Sequence, residues 1–379
     1  MKTVLTLFGT RPELIKLAPV MSALDADGEI ASLQVCSAQH RELLTPFLEL
    51  FGTRVDAELD VMRPGQPLNL TAARVLERLD PVLEAHRPEL LVVQGDTTTT
   101  LGGALAAFHR GIPVVHVEAG LRTDDLANPF PEEMNRRLVG RIAALHCAAT
   151  EANRRRLLDE GVPAERVVLT GNPVLDALGV VAERARPTEE TLRLLAELEG
   201  KRILALTAHR RESQGPVLEA LLRVVADFAA ARDDVAVVYP VHPNPRVREA
   251  AGRALAGRAR VHLIEPLGYA DFLALVRAAW LVVSDSGGVQ EEAPSLGTPL
   301  LVLRETTERP EAIEAGVARL VGLDPARLAA ELEAAEEPAG WTASIGSRPN
   351  PFGDGRSAPR ILAAIRRELG LAAEADHAS

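Results

Sequence analysis

The sequence predicts an α/β fold of two Rossmann-like, doubly wound domains facing across a cleft, and three observations predict it. Apolar, β-prone runs alternate with helical patterns from end to end, the rhythm of parallel sheets wrapped by helices. At 379 residues the chain is long for a single core, so two domains are expected. Polar, often glycine-containing segments follow the strands, at the carboxyl ends where ligands of such sheets bind.

The expected strands of the first half are 4–8, 33–37, 90–94, 114–117, 145–149 and 167–170. Those of the second half are 203–207, 235–239, 261–264, 281–284, 300–303 and 319–321. One sheet of that size is improbable, so the reading is about six strands in each domain. The turn cluster Gly171-Asn172-Pro173 marks the expected boundary. The first domain then covers 1–170 and the second 171–357, with a C-terminal helix, 358–379, packing back on the first.

Residues 280–303 form the most informative stretch, read as one strand, glycine-rich turn, helix, strand unit. Gly287 and Gly288 let the backbone approach a ligand closely, and Ser286 can cap the helix while offering a hydroxyl. A helix N-terminus favours a phosphate. Glu291 and Glu292 in its first turn would repel one unless they face something else, such as a ribose. A plain capped helix in an α/β sheet explains the same residues equally well.

Composition narrows the partners. A formal charge of −11 and 3% aromatic residues disfavour nucleic acid and anionic membrane surfaces. The two cysteines, Cys36 and Cys147, sit in apolar runs and read as buried reduced thiols, not as a disulfide or metal site. No signal peptide or membrane-spanning stretch is legible, so a cytoplasmic protein is expected. No GxGxxG turn, Walker lysine, HExxH or GxSxG occurs, which leaves a tightly bound dinucleotide, ATP hydrolysis, zinc proteolysis and serine-hydrolase chemistry with little support.

What remains is a set of cations suited to a diphosphate, Arg11, Lys16, His209, His242 and Arg309, and a set of carboxylates, Asp96, Glu118 and Glu132. Carboxylates in a desolvated cleft can be pushed apart in pKa, giving one acid and one base. Each has a plainer alternative. Asp96 could cap the following helix, and Glu132 with Glu133 could merely serve a helix dipole. Glu118 directly follows an apolar run, where a carboxylate needs a partner. His209 precedes Arg210 and Arg211, which would tend to hold it deprotonated, although that charged run could equally be a solvated cluster.

The ordered set GTRPELIK, QHRELL, GDTTTT, HVEAGLRT, PFPEEMNR, TAHRRES, YPVHPNP, DSGGVQEEAPSLGTP and TTERPEA resembles the non-hydrolysing UDP-N-acetylglucosamine 2-epimerase family over nearly the whole chain. The resemblance implies a glycosyltransferase-B type fold and interconversion of UDP-N-acetylglucosamine with UDP-N-acetylmannosamine through elimination of UDP to 2-acetamidoglucal and its re-addition, with neither metal nor redox cofactor. Asp96, Glu118 and Glu132 match the family's acid–base carboxylates, and His209 its histidine beside the leaving diphosphate. Arg11, Lys16, Arg136 and Arg309 match residues that hold phosphates or position the sugar. Glu292 matches the ribose ligand, and Phe272 lies where uracil is bound. Gln39, Arg210 and His242 match positions tied to a second UDP-N-acetylglucosamine acting as activator, although Glu42 and Gly65 depart from what some relatives carry there. The family is usually homodimeric. Its fold and nucleotide chemistry also fit an epimerase of a related UDP-N-acetyl sugar, a hydrolysing 2-epimerase or a glycosyltransferase. By the same reading, bound UDP should draw the two domains together.

Overall fold

The computed structural model describes residues 1–37, 41–63, 65–123, 125–210 and 213–372. The chain divides into two compact units, Met1–Arg184 with Phe352–Ser379, and Ala185–Pro351.

The first unit is built on a seven-stranded parallel sheet in the order β3-β2-β1-β4-β5-β6-β7. Its strands are β1 (Lys2–Phe8), β2 (Ile30–Cys36), β3 (Ala57–Glu58), β4 (Leu90–Gln94), β5 (Val114–Ala119), β6 (Leu145–Ala148) and β7 (Val167–Leu169). Parallel strands covered on both faces read as continuous apolar runs. Leu5, Leu7, Leu91, Val93 and Val114 are buried in this way, with Val75, Leu79 and Leu83 of the helix Leu68–His86 closing one side of the core. Cys36 and Cys147 are free and buried, and burial pushes the Cys147 thiol up to about 12.

The second unit carries a six-stranded sheet in the order β10-β9-β8-β11-β12-β13. Its strands are β8 (Arg202–Thr207), β9 (Val235–Pro240), β10 (Val261–Ile264), β11 (Ala279–Ser284), β12 (Leu300–Val302) and β13 (Ala318–Leu320). Both sheets are doubly wound. Strand order reverses beside β1 and β4 in one and beside β8 and β11 in the other, which is where a ligand crevice opens in such sheets. Among the described residues, no helix is long and apolar enough to cross a membrane.

The boundary differs from the expected one. Gly171-Asn172-Pro173 lies inside the first unit, and the division falls at Arg184, because the helix Val174–Arg184 buries Val174, Ala177, Leu178 and Val181 on that unit. These residues recur at i, i+3, i+4 and i+7, one face of a helix. The chain re-enters at Phe352, earlier than 358, and the Phe352 carbonyl accepts the Asn172 N–H at 2.8 Å. Gly171 permits this approach: its φ is +83°, and a Cβ there would lie 2.7 Å from Ser357 Oγ. The last helix, Ser357–Glu368, packs on the helix Arg11–Ala26, and its Arg366 reaches Asp27 and Glu29 of the same unit. Residues 373–379, the end of the expected C-terminal helix, lie outside the described residues, as does Gln39.

Candidate active site

In the first unit the polar residues converge at the carboxyl ends of β1, β4 and β5. After β1, Thr10 caps the helix Arg11–Ala26 through a capping box with Glu13, whose carboxylate accepts the N–H groups of Gly9 at 3.0 Å and Thr10 at 2.7 Å. The other Glu13 oxygen accepts the hydroxyls of Thr97 at 2.7 Å and Thr100 at 3.0 Å, tying this helix start to the one after β4. Burial raises the Glu13 carboxyl even though these hydrogen bonds pull it down. Two turns into that helix region, Lys16 is buried against Glu118 in an ion pair.

Glu118 lies within β5 at a register shift between β5 and β6, and its φ is +60°. A left-handed backbone on a non-glycine residue costs on the order of 1 kcal/mol or more and collects at functional sites. The bulge re-aims the side chain out of the strand's alternation. The carboxylate receives Lys16 Nζ, Gln94 Nε2 and, at 3.2 Å, Asn172 Nδ2.

Asp96 does not cap the helix that follows it; Thr97 does, accepting from the Thr100 N–H. The Asp96 carboxylate instead meets Arg136 Nη2 at 2.6 Å, and its carbonyl accepts Asn135 Nδ2 at 2.8 Å. Both partners come from the helix Glu132–Ile142, whose first residue is Glu132. One buried Glu132 oxygen has no hydrogen-bond partner, whereas Glu133 is fully engaged with Thr123 N–H, Arg136 and Arg137. The structure therefore brings Lys16, Asp96, Glu118 and Arg136 together, with Glu132 one turn from Arg136. Arg11 stands apart from that network, its guanidinium 5.7 Å from the Phe47 ring centre. Beneath the turn after β4, His116 Nε2 lies 2.7 Å from the Gly95 carbonyl, so the ring donates there; desolvation holds it down at about 3.

The second unit assembles a different set. After β8, the N–H groups of His209 and Arg210 both donate to Asp285 Oδ2 at 2.8 Å, and Ser213 Oγ donates to it at 3.0 Å. The other Asp285 oxygen is 3.5 Å from His209 Nδ1, so a buried carboxylate faces this ring. His209 stacks on His242, which follows β9, with ring centres 5.0 Å apart.

The glycine-rich turn after β11 departs from expectation in one respect. Gly288, not Ser286, occupies the N-cap of the helix Val289–Ser295, and no side chain caps it; the Ser286 N–H donates to Ser284 Oγ at 3.0 Å. Space at Gly287 is tight. A Cβ there would sit 3.3 Å from Arg309 Nη1 and 3.4 Å from Arg210 Nη2, so two guanidinium groups close on its backbone. Glu291 is matched by Arg309 Nε at 2.5 Å. Glu308 is held down at about 2: desolvation raises it, but Arg309, Arg304 and Arg210 outweigh that. Glu292 accepts the Tyr269 hydroxyl at 2.8 Å, and Phe272 lies one turn beyond Tyr269 on the helix Tyr269–Ala278.

Sequence reasoning missed Glu13, Gln94, Asn172, Asp285 and Tyr269. A signal existed for Glu13, because Thr10 and Glu13 stand at capping-box spacing. Asp285 sits inside a motif already singled out, but nothing local reveals which loop it holds.

These two doubly wound sheets, with ligand-suited side chains at the carboxyl ends beside each switch point, define a Rossmann-like α/β protein of the glycosyltransferase-B type. The chain belongs to the UDP-N-acetylglucosamine 2-epimerase family, whose sequence model matches residues 22–366. It is 48% identical over 368 residues to the UDP-N-acetylglucosamine 2-epimerase of Salmonella typhimurium, covering 96% of this chain and 98% of the relative. The UDP-GlcNAc 2-epimerase of Neisseria meningitidis, solved with UDP-GlcNAc, superposes with a TM-score of 0.89 at 40% identity, covering 96% of this chain and 100% of its own. The S. aureus MnaA–UDP structure gives 0.91 at 39% identity, with 99% and 98% covered.

Proposed function

We propose that this chain is a non-hydrolysing epimerase that interconverts UDP-N-acetylglucosamine and UDP-N-acetylmannosamine by inversion at C2. The observation that carries the reading is Glu118, a buried carboxylate on strained backbone beside the Gly95-Asp96 turn; a Cβ on Gly95 would lie 3.7 Å from its Oε2. Relatives solved with UDP and UDP-GlcNAc support a UDP-sugar as its ligand.

The C2–H bond of the sugar is not acidic until the C1–O bond begins to break. A carboxylate takes the C2 proton, the C–H electrons form the C1=C2 bond, and the C1–O electrons leave with UDP. The 2-acetamidoglucal is then protonated at C2 on the opposite face while UDP oxygen re-adds at C1. Asp96, Glu118 and Glu132 supply the proton transfers, and Lys16, Arg136 and Arg11 serve the sugar and phosphates. Arg309, His209, His242 and the Ser286-Gly287-Gly288 turn stabilise the departing diphosphate with preorganised donors. Glu292 takes the ribose and Phe272 the uracil. Arg210 shares the Gly287 corner with Arg309, which fits a role on the diphosphate as well as one on an activating second UDP-N-acetylglucosamine. A sigmoidal rate curve with substrate would favour the activator role.

The reading further places a homodimer in the cytoplasm, supplying N-acetylmannosamine units for surface polysaccharide. Incubation with UDP-N-acetylglucosamine in deuterated water, followed by NMR, tests it. UDP-N-acetylmannosamine deuterated at C2 is the expected product. Free N-acetylmannosamine would replace the reading with a hydrolysing enzyme, and unchanged, undeuterated sugar would overturn it.

A further inference from the structure

Glu118 makes an unusual demand on its surroundings. Its backbone is strained and its side chain is buried, so nothing in the strand geometry alone fixes where the carboxylate points. Lys16 supplies charge to Oε1, but a flexible lysine is a point charge and fixes no plane. Two neutral amides complete the shell. Gln94, the last residue of β4, donates to Oε2, and Asn172 donates to Oε1 at 3.2 Å, so both oxygens are engaged from different strand ends.

The Asn172 amide is itself fixed, and Gln94 stands on a tied strand end. Asn172 is 1% exposed; its Oδ1 accepts the Val174 N–H at 3.1 Å, which leaves its Nδ2 facing Glu118 and settles the sense of the amide. Its backbone N–H is tied to Phe352. Gln94 is 3% exposed, and its backbone carbonyl accepts the Thr100 hydroxyl at 2.7 Å, which holds the strand end that carries the side chain. A hydrophobic core gains nothing from three polar side chains gathered about one buried carboxylate, since each must be desolvated. Such a shell is suited to holding a reacting group within a narrow range of orientation.

We infer that Gln94 and Asn172 are positioning residues for the epimerisation, clamping the two oxygens of Glu118 so that its carboxylate plane is set against C2 of the sugar. The inference rests on the function proposed above. The two amides add no charge, so they orient the carboxylate without a second cation competing for the substrate's phosphates.

Asn172→Asp keeps an oxygen for the Val174 N–H, and with it the local fold, while replacing the donor to Glu118 by an acceptor. Gln94→Leu removes the other donor at similar volume. Each is expected to lower kcat by about tenfold or more with KM within about twofold, as for a displaced reacting group. Asn172→Gln, which restores a donor on a longer arm, should recover part of the loss. A merely structural role would lower the melting temperature and leave kcat per folded enzyme unchanged; that result, in both variants, overturns the inference. Crystals of Asn172→Asp and Gln94→Leu give a readout independent of turnover. Glu118 is expected to leave its place beside Lys16, and an unmoved Glu118 in both would also overturn the clamp. Failure of the wild-type protein to convert the sugar would sink the proposed function instead, while the crystals still decide whether the amides hold Glu118.

Discussion

The sheet of the first unit and the sheet of the second wind their strands in the same order, with β1-β4 and β8-β11 at equivalent switch points, yet their carboxyl ends carry side chains of different kinds. The first gathers buried and half-buried carboxylates, each with its own partner: Glu118 with Lys16, Asp96 with Arg136, Glu13 with backbone and threonines. The second gathers histidines and guanidinium groups around a glycine-rich turn, and keeps its carboxylates (Asp285, Glu291, Glu308) as supports for those cations. Strain is likewise unequal, since the positive φ of a non-glycine site residue falls only in the first unit among the described residues. Under the proposed function, one topology hosts proton transfer at one switch point and leaving-group binding at the other. The fold supplies the location, and the side chains decide the chemistry.

The comparison can be broken or sharpened by substitution. The largest effect is expected from Glu118→Gln, which should lower turnover at least ~100-fold as for a lost acid–base group while UDP still binds, measured by steady-state kinetics and calorimetry with UDP. Turnover near wild type would remove the carboxylate chemistry from the first unit. In the second unit, Gly287→Ala places a methyl group 3.3 Å from Arg309 and 3.4 Å from Arg210. It should weaken UDP binding by about tenfold, equivalent to ~1.4 kcal/mol, without the collapse of kcat seen for Glu118→Gln. Unchanged UDP affinity would show that this corner does not face the diphosphate.

A different kind of effect concerns stability in acid. Burial holds His116 at about 3 and His146 at about 4, below an unfolded value near 6.5. The unfolded chain therefore binds protons first, and stability present above about pH 6.5 is lost as pH falls toward those values, on the order of 2 kcal/mol per histidine by pH 5. Glu308, held at about 2, adds a loss only at lower pH, below its unfolded value. Thermal melts should show the first unit weakening between pH 7.5 and 5, and a flat profile would contradict the neutral buried histidines. The smallest effect is expected from Tyr269→Phe, which frees Glu292 from its hydroxyl partner and should raise KM for the UDP-sugar about two- to fourfold with kcat unchanged. A change confined to kcat would detach Glu292 from ground-state nucleotide binding.

Most strands were legible because buried parallel strands must be apolar along their whole length; β3, two residues long, carries no such run. Asp96, Glu118 and His209 were legible as polar residues directly after the expected strands, and Arg309 as a cation within the TTERPEA motif. The shell around them was not, because Gln94 reads as the end of an apolar run and Asn172 as a turn former. The Gly171-Asn172-Pro173 turn was taken for a domain boundary on local turn chemistry, which is blind to what the next helix packs against. The left-handed backbone of Glu118 has no residue-type signal at all; only the neighbouring strand's register reveals it.

The residue at that misread turn bears on how such proteins can be recombined. Asn172 ties together Glu118, the start of the helix Val174–Arg184 and the returning segment at Phe352. A chimera that exchanges second units between relatives at the Gly-Asn-Pro turn would splice foreign sequence directly into this junction. Crossovers placed after Arg184 and before Phe352 would transfer the second unit whole and leave the junction from a single parent.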